Sequence, residues 1–290
     1  MTLAVEQVRR MRGGAQAHLM RCAMGSPAFD SKPGCSQGSS PGARPGREAS
    51  EYYVVKFQNN PQGARILANE LLATRLAARL GLPTPPVAVV EVGADLIAHT
   101  DDLVMQLGRG RAPCQAGLQF GSRYPGSPAE TTVYDFLPDE QLREVENLGD
   151  FCGMLVFDKW TCNTNGRQAI FFTAAGESRY RAQMIDNGFC FNAGEWNFPD
   201  APLRGIYARH RVYEGVRGME AFEPWLARLE EKVGEAAVEE AASEIPPAWY
   251  GDKAEALEKL LEQLLRRRKL ARELIVAAKK SSVEPFPNWK

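Results

Sequence analysis

Histidine and cysteine are scarce and scattered: three histidines (His18, His99, His210) and six cysteines (Cys22, Cys35, Cys114, Cys152, Cys162, Cys190), with no Cys-x-x-Cys pair. This excludes a zinc-ligand framework, and cysteines set singly along so long a chain do not build a disulfide scaffold. Cys152 and Cys162 lie in or beside apolar stretches, where a reduced cysteine behaves as a small hydrophobe. An excess of charge is also missing, since 35 Lys+Arg against 36 Asp+Glu leave a net charge of −1. Without a broad cationic field, nucleic acid is not an expected partner. No apolar run approaches the roughly 20 residues that cross a bilayer, so no membrane is expected either. Residues Met1 to Gly14 interrupt short apolar steps with Glu6, Arg9, Arg10 and Arg12, unlike the apolar core of a secretory signal. A cytoplasmic protein is the expectation.

What is present is enough apolar material, 44% of 290 residues, for a full core in one large domain or two lobes. The sharpest change of composition is Met24 to Ser50, where Gly, Ser and Pro dominate and little could offset the entropy of ordering. It reads as a mobile insertion, a disordered segment over 24–50. Before it, Ala17 to Cys22 is a short strand; after it, Glu51 to Phe57 is rich in β-branched and aromatic residues and reads as its hairpin partner. Ile66, Leu67, Leu71, Leu72, Leu76 and Leu80 recur at helical spacing before Gly81 and Pro83, which predicts a helix from Gln62 to Leu80. Val87–Val92 and Leu103–Leu107 read as further strands, and Gly108 to Pro128, rich in Gly, Arg and Pro, as a connection between lobes. A helical pattern over Gln141–Trp160 precedes two strands, Ala169–Phe172 and Ala182–Ile185, joined by a Gly176-Glu177-Ser178 turn. Beyond about residue 215 the chain reads as helical, ending in a long helix from Ala254 to Lys280 whose Arg266-Arg267-Arg268-Lys269 run is expected to be a solvated face.

Five features could carry chemistry. Gly13-Gly14 at the head of the first hairpin either lets backbone amides approach an anion or is an ordinary tight turn. Lys56, inside an apolar strand, needs solvent or a counter-charge, and Glu70 in the following helix could supply it. That pair would fix a lysine on nucleotide phosphates, although two solvated side chains fit as well. A polar, amide-rich loop, Thr161 to Gln168, follows the apolar helix that ends in Phe157-Asp158-Lys159-Trp160. Finally, Asp186-Asn187-Gly188 ends the second strand, 21 residues beyond Asn165; alone it is good turn chemistry, but after a polar loop it suits a metal-holding acid. The ordered series is harder to obtain by accident than any one member.

In that order the sequence resembles the HipA-like kinases, bacterial relatives of the protein-kinase and phosphatidylinositol-kinase superfamily. Gly13-Gly14-Ala15-Gln16 looks like the family's glycine-rich loop, Tyr53 to Phe57 like its nucleotide-lysine strand, and Asn69-Glu70 with Leu80 to Pro83 like its first-lobe helix. Phe157 to Gln168 looks like the catalytic loop and Ile185 to Gly188 like the metal-binding motif. The resemblance spans roughly residues 9 to 200.

The resemblance implies a two-lobed, protein-kinase-like α+β fold. A small, mostly β N-terminal lobe with one long helix would occupy residues 1–110, a linker 111–130 and a larger, mostly helical C-terminal lobe 131–290. It implies Mg2+ and ATP between the lobes, and γ-phosphoryl transfer to a hydroxyl on an unidentified protein (Ser/Thr) or small molecule. Gly13, Gly14, Ala15 and Gln16 would cover the phosphates, Lys56 contact them, Glu70 orient Lys56, and Asp186 ligate magnesium. Two positions depart from the family: the catalytic aspartate is Asn165, and the metal-binding asparagine, five residues later, is Ile170. The expected substitutes are Asp158 as the catalytic carboxylate and Asn163 or Gln168 at the metal. An amide cannot accept a proton as a carboxylate does, so an ATP-binding pseudokinase that regulates a partner is the alternative, and nucleotide transfer from ATP a third reading. The 24–50 insertion could be a lid or carry an autophosphorylated serine among Ser26, Ser31, Ser36, Ser39 and Ser40, or have no role.

Overall fold

The computed structural model of the protein describes residues 1–24, 51–173, 176–251 and 253–290. Strand β1 (Thr2–Arg10) pairs antiparallel with β2 (His18–Met24), and β2 with β3 (Glu51–Lys56). Helix α1 (Arg65–Arg79) leads to β4 (Val87–Val92), a short α2 (Ala94–Ala98) and an antiparallel hairpin of β5 (Val104–Leu107) and β6 (Gly110–Pro113). Strand β7 (Gly117–Arg123) then inserts between β3 and β4, and parallel pairing of Thr2 and Leu3 with Val90 and Glu91 closes a five-stranded barrel in the order β1-β2-β3-β7-β4. Strand periodicity sorts the side chains: Tyr53, Val55 and Phe57 fill the barrel with Met20, Val90 and Met105, which leaves Val54 and Lys56 on the opposite face.

After β8 (Val133–Tyr134), α3 (Asp139–Leu142) and α4 (Asp150–Thr161) comes the hairpin β9 (Gln168–Phe172) and β10 (Arg181–Ile185), with β8 on the free edge of β9. Helices α5 (Glu223–Lys232), α6 (Glu235–Ser243), α7 (Ala254–Arg267) and α8 (Ala271–Lys279) complete the chain. Helix α4 is apolar on nearly every side and buried from Phe151 to Thr161, the pattern of a helix surrounded by protein. Its Phe151, Leu155 and Trp160 join Leu67, Leu71 and Leu76 of α1 in one large core, so α1 ties the barrel to the helices. Among the described residues no helix is long and apolar enough to cross a membrane.

Several expectations are corrected. Thr2–Arg10, for which no strand was expected, form β1, which carries almost no period-2 signal because most of it is exposed. The connection expected over Gly108–Pro128, including the linker 111–130, instead holds β6 and β7; residue 110 lies inside a hairpin, and Gln119, Phe120 and Gly121 of β7 are buried. Gly121 suits that strand because a Cβ there would press on Val90 and Tyr53. The long final helix is broken by a 3-10 turn at Arg268–Leu270. There Arg267 is not solvated but buried, donating to the Trp160 and Lys159 carbonyls (2.9 and 3.1 Å) and to Asp200 (2.6 Å). Met24 closes β2, and the rest of the 24–50 insertion lies outside the described residues.

Candidate active site

Strand β3 delivers Lys56 to a cleft of about 870 Å³ between the barrel and the β9–β10 hairpin. Its Nζ donates to Glu70 Oε1 and, at 2.6 Å, to Asp186 Oδ1. Burial alone would lower the lysine, but the Glu70 and Asp186 carboxylates outweigh it and hold the ammonium above the ordinary range. Burial raises the Glu70 carboxyl, against the pull of Lys56. For Asp186 the balance reverses: burial acts upward, and Lys56 overrides it and lowers the acid below the ordinary carboxylate value.

Glu70 does more than hold the lysine. Its two oxygens accept the backbone N–H groups of Asn187 and Gly188 (3.0 Å each), so one side chain of α1 fixes both Lys56 and the turn that carries Asp186. Asp186 has φ +60, a left-handed conformation that a non-glycine residue keeps only when its surroundings determine it. Gly188 leaves the space: a Cβ there would come within 2.6 Å of Ile66 Cγ2. Asn69, beside Glu70 and absent from the sequence-based set of site residues, donates Nδ2 to the carbonyls of Gly188, Cys190 and Ala193 (2.8, 3.1 and 2.7 Å) and accepts from Trp196 Nε1 (2.7 Å). It ties down a segment in which Phe191, Asn192, Ala193 and Trp196 all have positive φ. Its signal was a short amide inside an otherwise apolar helix face.

The hairpin register sets the floor. Gln168 stands opposite Ile185 and Ile170 opposite Gln183, and this alternate set faces the cleft while Ala169, Phe171 and Met184 enter the core. Gln168 Nε2 donates to Asp186 Oδ2 at 2.7 Å, so the second carboxylate oxygen is engaged too. Asn165 is exposed at the cleft, its Oδ1 accepting from the Gly166 N–H (2.9 Å).

Asp158 and Asn163 are not brought to the cleft. The Asp158 side chain is fully buried, receiving Arg167 Nε at 2.8 Å, a second Arg167 nitrogen and Asn163 Nδ2 at 3.0 Å. Asn163 is buried with it, and its Oδ1 accepts from the Asn165 N–H (3.1 Å). Arg167 continues to the Ile185 carbonyl (2.7 Å) and Asn187 Oδ1 (3.0 Å), so this cluster braces the 158–168 segment against the Asp186 turn. Both expected substitutes are thereby corrected to supports. Polar side chains in a helix end looked available in sequence, and only the fold shows that Arg167 turns inward to consume them.

Gly13, Gly14, Ala15 and Gln16 form the turn from β1 to β2 at the cleft roof. Gly13 has φ +119, and a Cβ on Gly14 would lie 2.8 Å from Gln62 Nε2. Gln16 bonds the backbone of Gln106 in both directions (2.7 and 2.8 Å), bracing the turn on β5. As for a divalent ion, the cleft's carboxylates are Asp186, with the Gln168 amide beside it, Glu70, which is taken up by Lys56 and the Asn187 and Gly188 N–H groups, and the exposed Asp135. Asn163 faces away and Ile170 is apolar, and among the described residues no group of three His, Cys, Asp or Glu side chains could hold a metal. The set fits one ion shared with a ligand's phosphates rather than a protein cage.

A family model described as HipA-like kinase matches residues 37–193, just over half of the chain and including Lys56, Glu70 and Asp186. The chain belongs to the HipA-like kinase family. No curated protein matches the sequence. Among solved structures, this HipA-like kinase is similar to the Golgi casein kinase (TM-score 0.50, 10% identity, 96% of this chain and 74% of that one). The same kinase with Mn/ADP bound gives TM-score 0.50 and 11% identity over the same shares. A Helicobacter pylori proinflammatory kinase, CtkA, aligns at TM-score 0.47 and 15% identity over 79% of this chain and 87% of that one. The likeness to the Golgi enzyme is one of fold: mixed α/β and kinase-like. The family match stops short of the β1–β2 turn, which is placed at the cleft by the structure alone.

Proposed function

We propose that this HipA-like kinase binds ATP in a two-lobed arrangement, with the barrel above and the helical part below the cleft, and transfers the γ-phosphoryl group to a hydroxyl, on a protein Ser or Thr. The observation that carries this reading is the meeting of Lys56, Glu70 and Asp186, from β3, α1 and the end of β10, in one cleft. No packing need brings three charged groups so distant in sequence together at an open cleft, whereas phosphate binding does. Lys56, pinned by Glu70, would turn its ammonium from Asp186 to the incoming phosphates. Val54 and Ile185 supply apolar surfaces on opposite sides of the cleft for the base. Magnesium, when bound beside Asp186, supplies neutralisation of phosphate charge. Asn165 can position an acceptor hydroxyl by hydrogen bonding but cannot take its proton, so transfer rests on positioning, which carries most of phosphoryl-transfer catalysis.

A second reading, an ATP-binding pseudokinase, is favoured by one specific observation: the catalytic-loop carboxylate nearest in sequence, Asp158, has both oxygens consumed by Arg167 and Asn163. Transfer of labelled γ-phosphate to the protein itself and to mixed Ser/Thr peptides separates the two. The kinase reading predicts slow transfer by the natural chain, none by Lys56→Ala, and a gain of about 100-fold in Asn165→Asp, the low end of a general base's worth. ATP binding with no transfer by either the natural chain or Asn165→Asp supports the pseudokinase.

A further inference from the structure

The cleft roof is cationic in a way the family match does not account for. Arg9, Arg10 and Arg12 of the β1–β2 hairpin all line the cleft, and among the described residues none of the three is paired with a carboxylate. The other cleft cations are compensated: Lys56 by Glu70 and Asp186, Arg123 by Glu51 (2.7 Å), Arg167 by Asp158. In a chain of net charge −1, three uncompensated guanidiniums on one rim repel one another without gain unless an anion visits them.

Their placement is built. The β1–β2 register shifts between Gln7 and Arg9, and beyond that bulge Arg9 pairs with Leu19 and Arg10 with His18 at the strand end, where both arginines line the cleft. Arg12 directly precedes Gly13 with its positive φ. Arg10 donates to Gln16 Oε1, and Gln16 is bonded on both sides to Gln106 of β5, so the turn is held before any ligand arrives. Below, the β9–β10 floor is short of metal ligands: Ile170 stands opposite Gln183, Asp186 is the carboxylate at the end of β10, and Glu70 is taken up by Lys56. A polyphosphate in this cleft meets guanidiniums from above where a second divalent ion would otherwise be needed.

We infer that Arg9, Arg10 and Arg12 form a polyphosphate clamp that neutralises the nucleotide in place of a second metal ion, so that nucleotide affinity depends little on the ion beside Asp186. This rests on the ATP reading above. Guanidiniums suit the task because they stay charged and bind phosphate oxygens in a fork.

The test is calorimetric titration of the full chain with AMP, ADP and ATP, in excess magnesium and in EDTA, for the natural protein, Arg9→Ala, Arg12→Ala and the double variant. Because both arginines are exposed, thermal unfolding by circular dichroism checks that the variants fold. The clamp predicts ATP affinity in EDTA within about threefold of that in magnesium. It also predicts affinity rising from AMP to ATP, and a loss of at least about tenfold for each arginine removed. Binding abolished by EDTA, or EDTA-tolerant binding unchanged in the double variant, overturns it; the second result would assign the arginines to an anionic acceptor instead. Absence of ATP binding by the natural protein under both conditions removes the proposed function itself, and the clamp with it.

Discussion

Lys56 shows what a single residue reveals once the chain is folded. In sequence it was one lysine in an apolar strand, with solvation and ion pairing equally open; in the structure it is nearly buried between two carboxylates, and solvation is no longer an option. His18 makes a separate prediction at this scale. It is fully buried, edge-on to Phe57, with its Nδ1 lacking a partner, and burial, with the Arg10 charge adding, lowers its pKa from 6.5 to about 4. The unfolded chain therefore holds an imidazole proton that the folded chain refuses between those two values. Stability is full above pH 6.5 and falls as the pH drops towards 4, by about 3 kcal/mol for the 2.5-unit difference. Urea unfolding at stepped pH should show this slope, and His18→Phe should flatten it; an unchanged slope in the variant would assign the acid sensitivity to other groups.

At the scale of elements, α1 is the member on which the site depends most. Its apolar face was plain in sequence, and so were β3, β9 and β10, because each has a clean period and turn residues at its ends. What sequence could not give was β7, since Gly117, Gly121 and Arg123 look like loop chemistry and only the crossing of Val90 and Tyr53 explains the glycine. Nor could it give the break after α7, which follows from Arg267 reaching tertiary partners. Two substitutions probe the packing. Asn69→Ala removes the carboxamide that ties α1 to the 188–196 segment, so the protein should lose at least about 2 kcal/mol and be cut sooner by protease within that segment. Equal protection in the variant would mean that the segment is held by other contacts. Gly153→Ala should be costlier than the surface average, because a Cβ on α4 would collide with the Trp225 ring of α5. Overpacking of that kind costs about 1–3 kcal/mol, read as a lowered midpoint in thermal unfolding; an unchanged midpoint would show that α5 gives way freely.

For the whole molecule, the barrel interior is one hydrophobic cluster, and a second runs from α1, Val87 and Phe120 into the helices, while Lys56, Glu70 and Asp186 meet across the cleft. The order of motifs in the sequence was sufficient to foresee that meeting of Lys56, Glu70 and Asp186. The 158–168 segment was not foreseeable in the same way: Asp158, Asn163 and Arg167 are all polar in sequence, and burial decides that they brace one another rather than stand free at the cleft. On the proposed reading, the cleft binds a nucleotide and Asn165 sets the loop's power to transfer a phosphoryl group. The measurement that tests the central claim of this account most directly is a titration with ATP of the natural protein, of Lys56→Ala in the cleft and of Arg266→Ala on the exposed side of α7. The account predicts saturable binding by the natural protein and by Arg266→Ala with equal affinity, and a loss of at least about tenfold in Lys56→Ala. Absence of saturable binding, or equal affinity in Lys56→Ala, would contradict it.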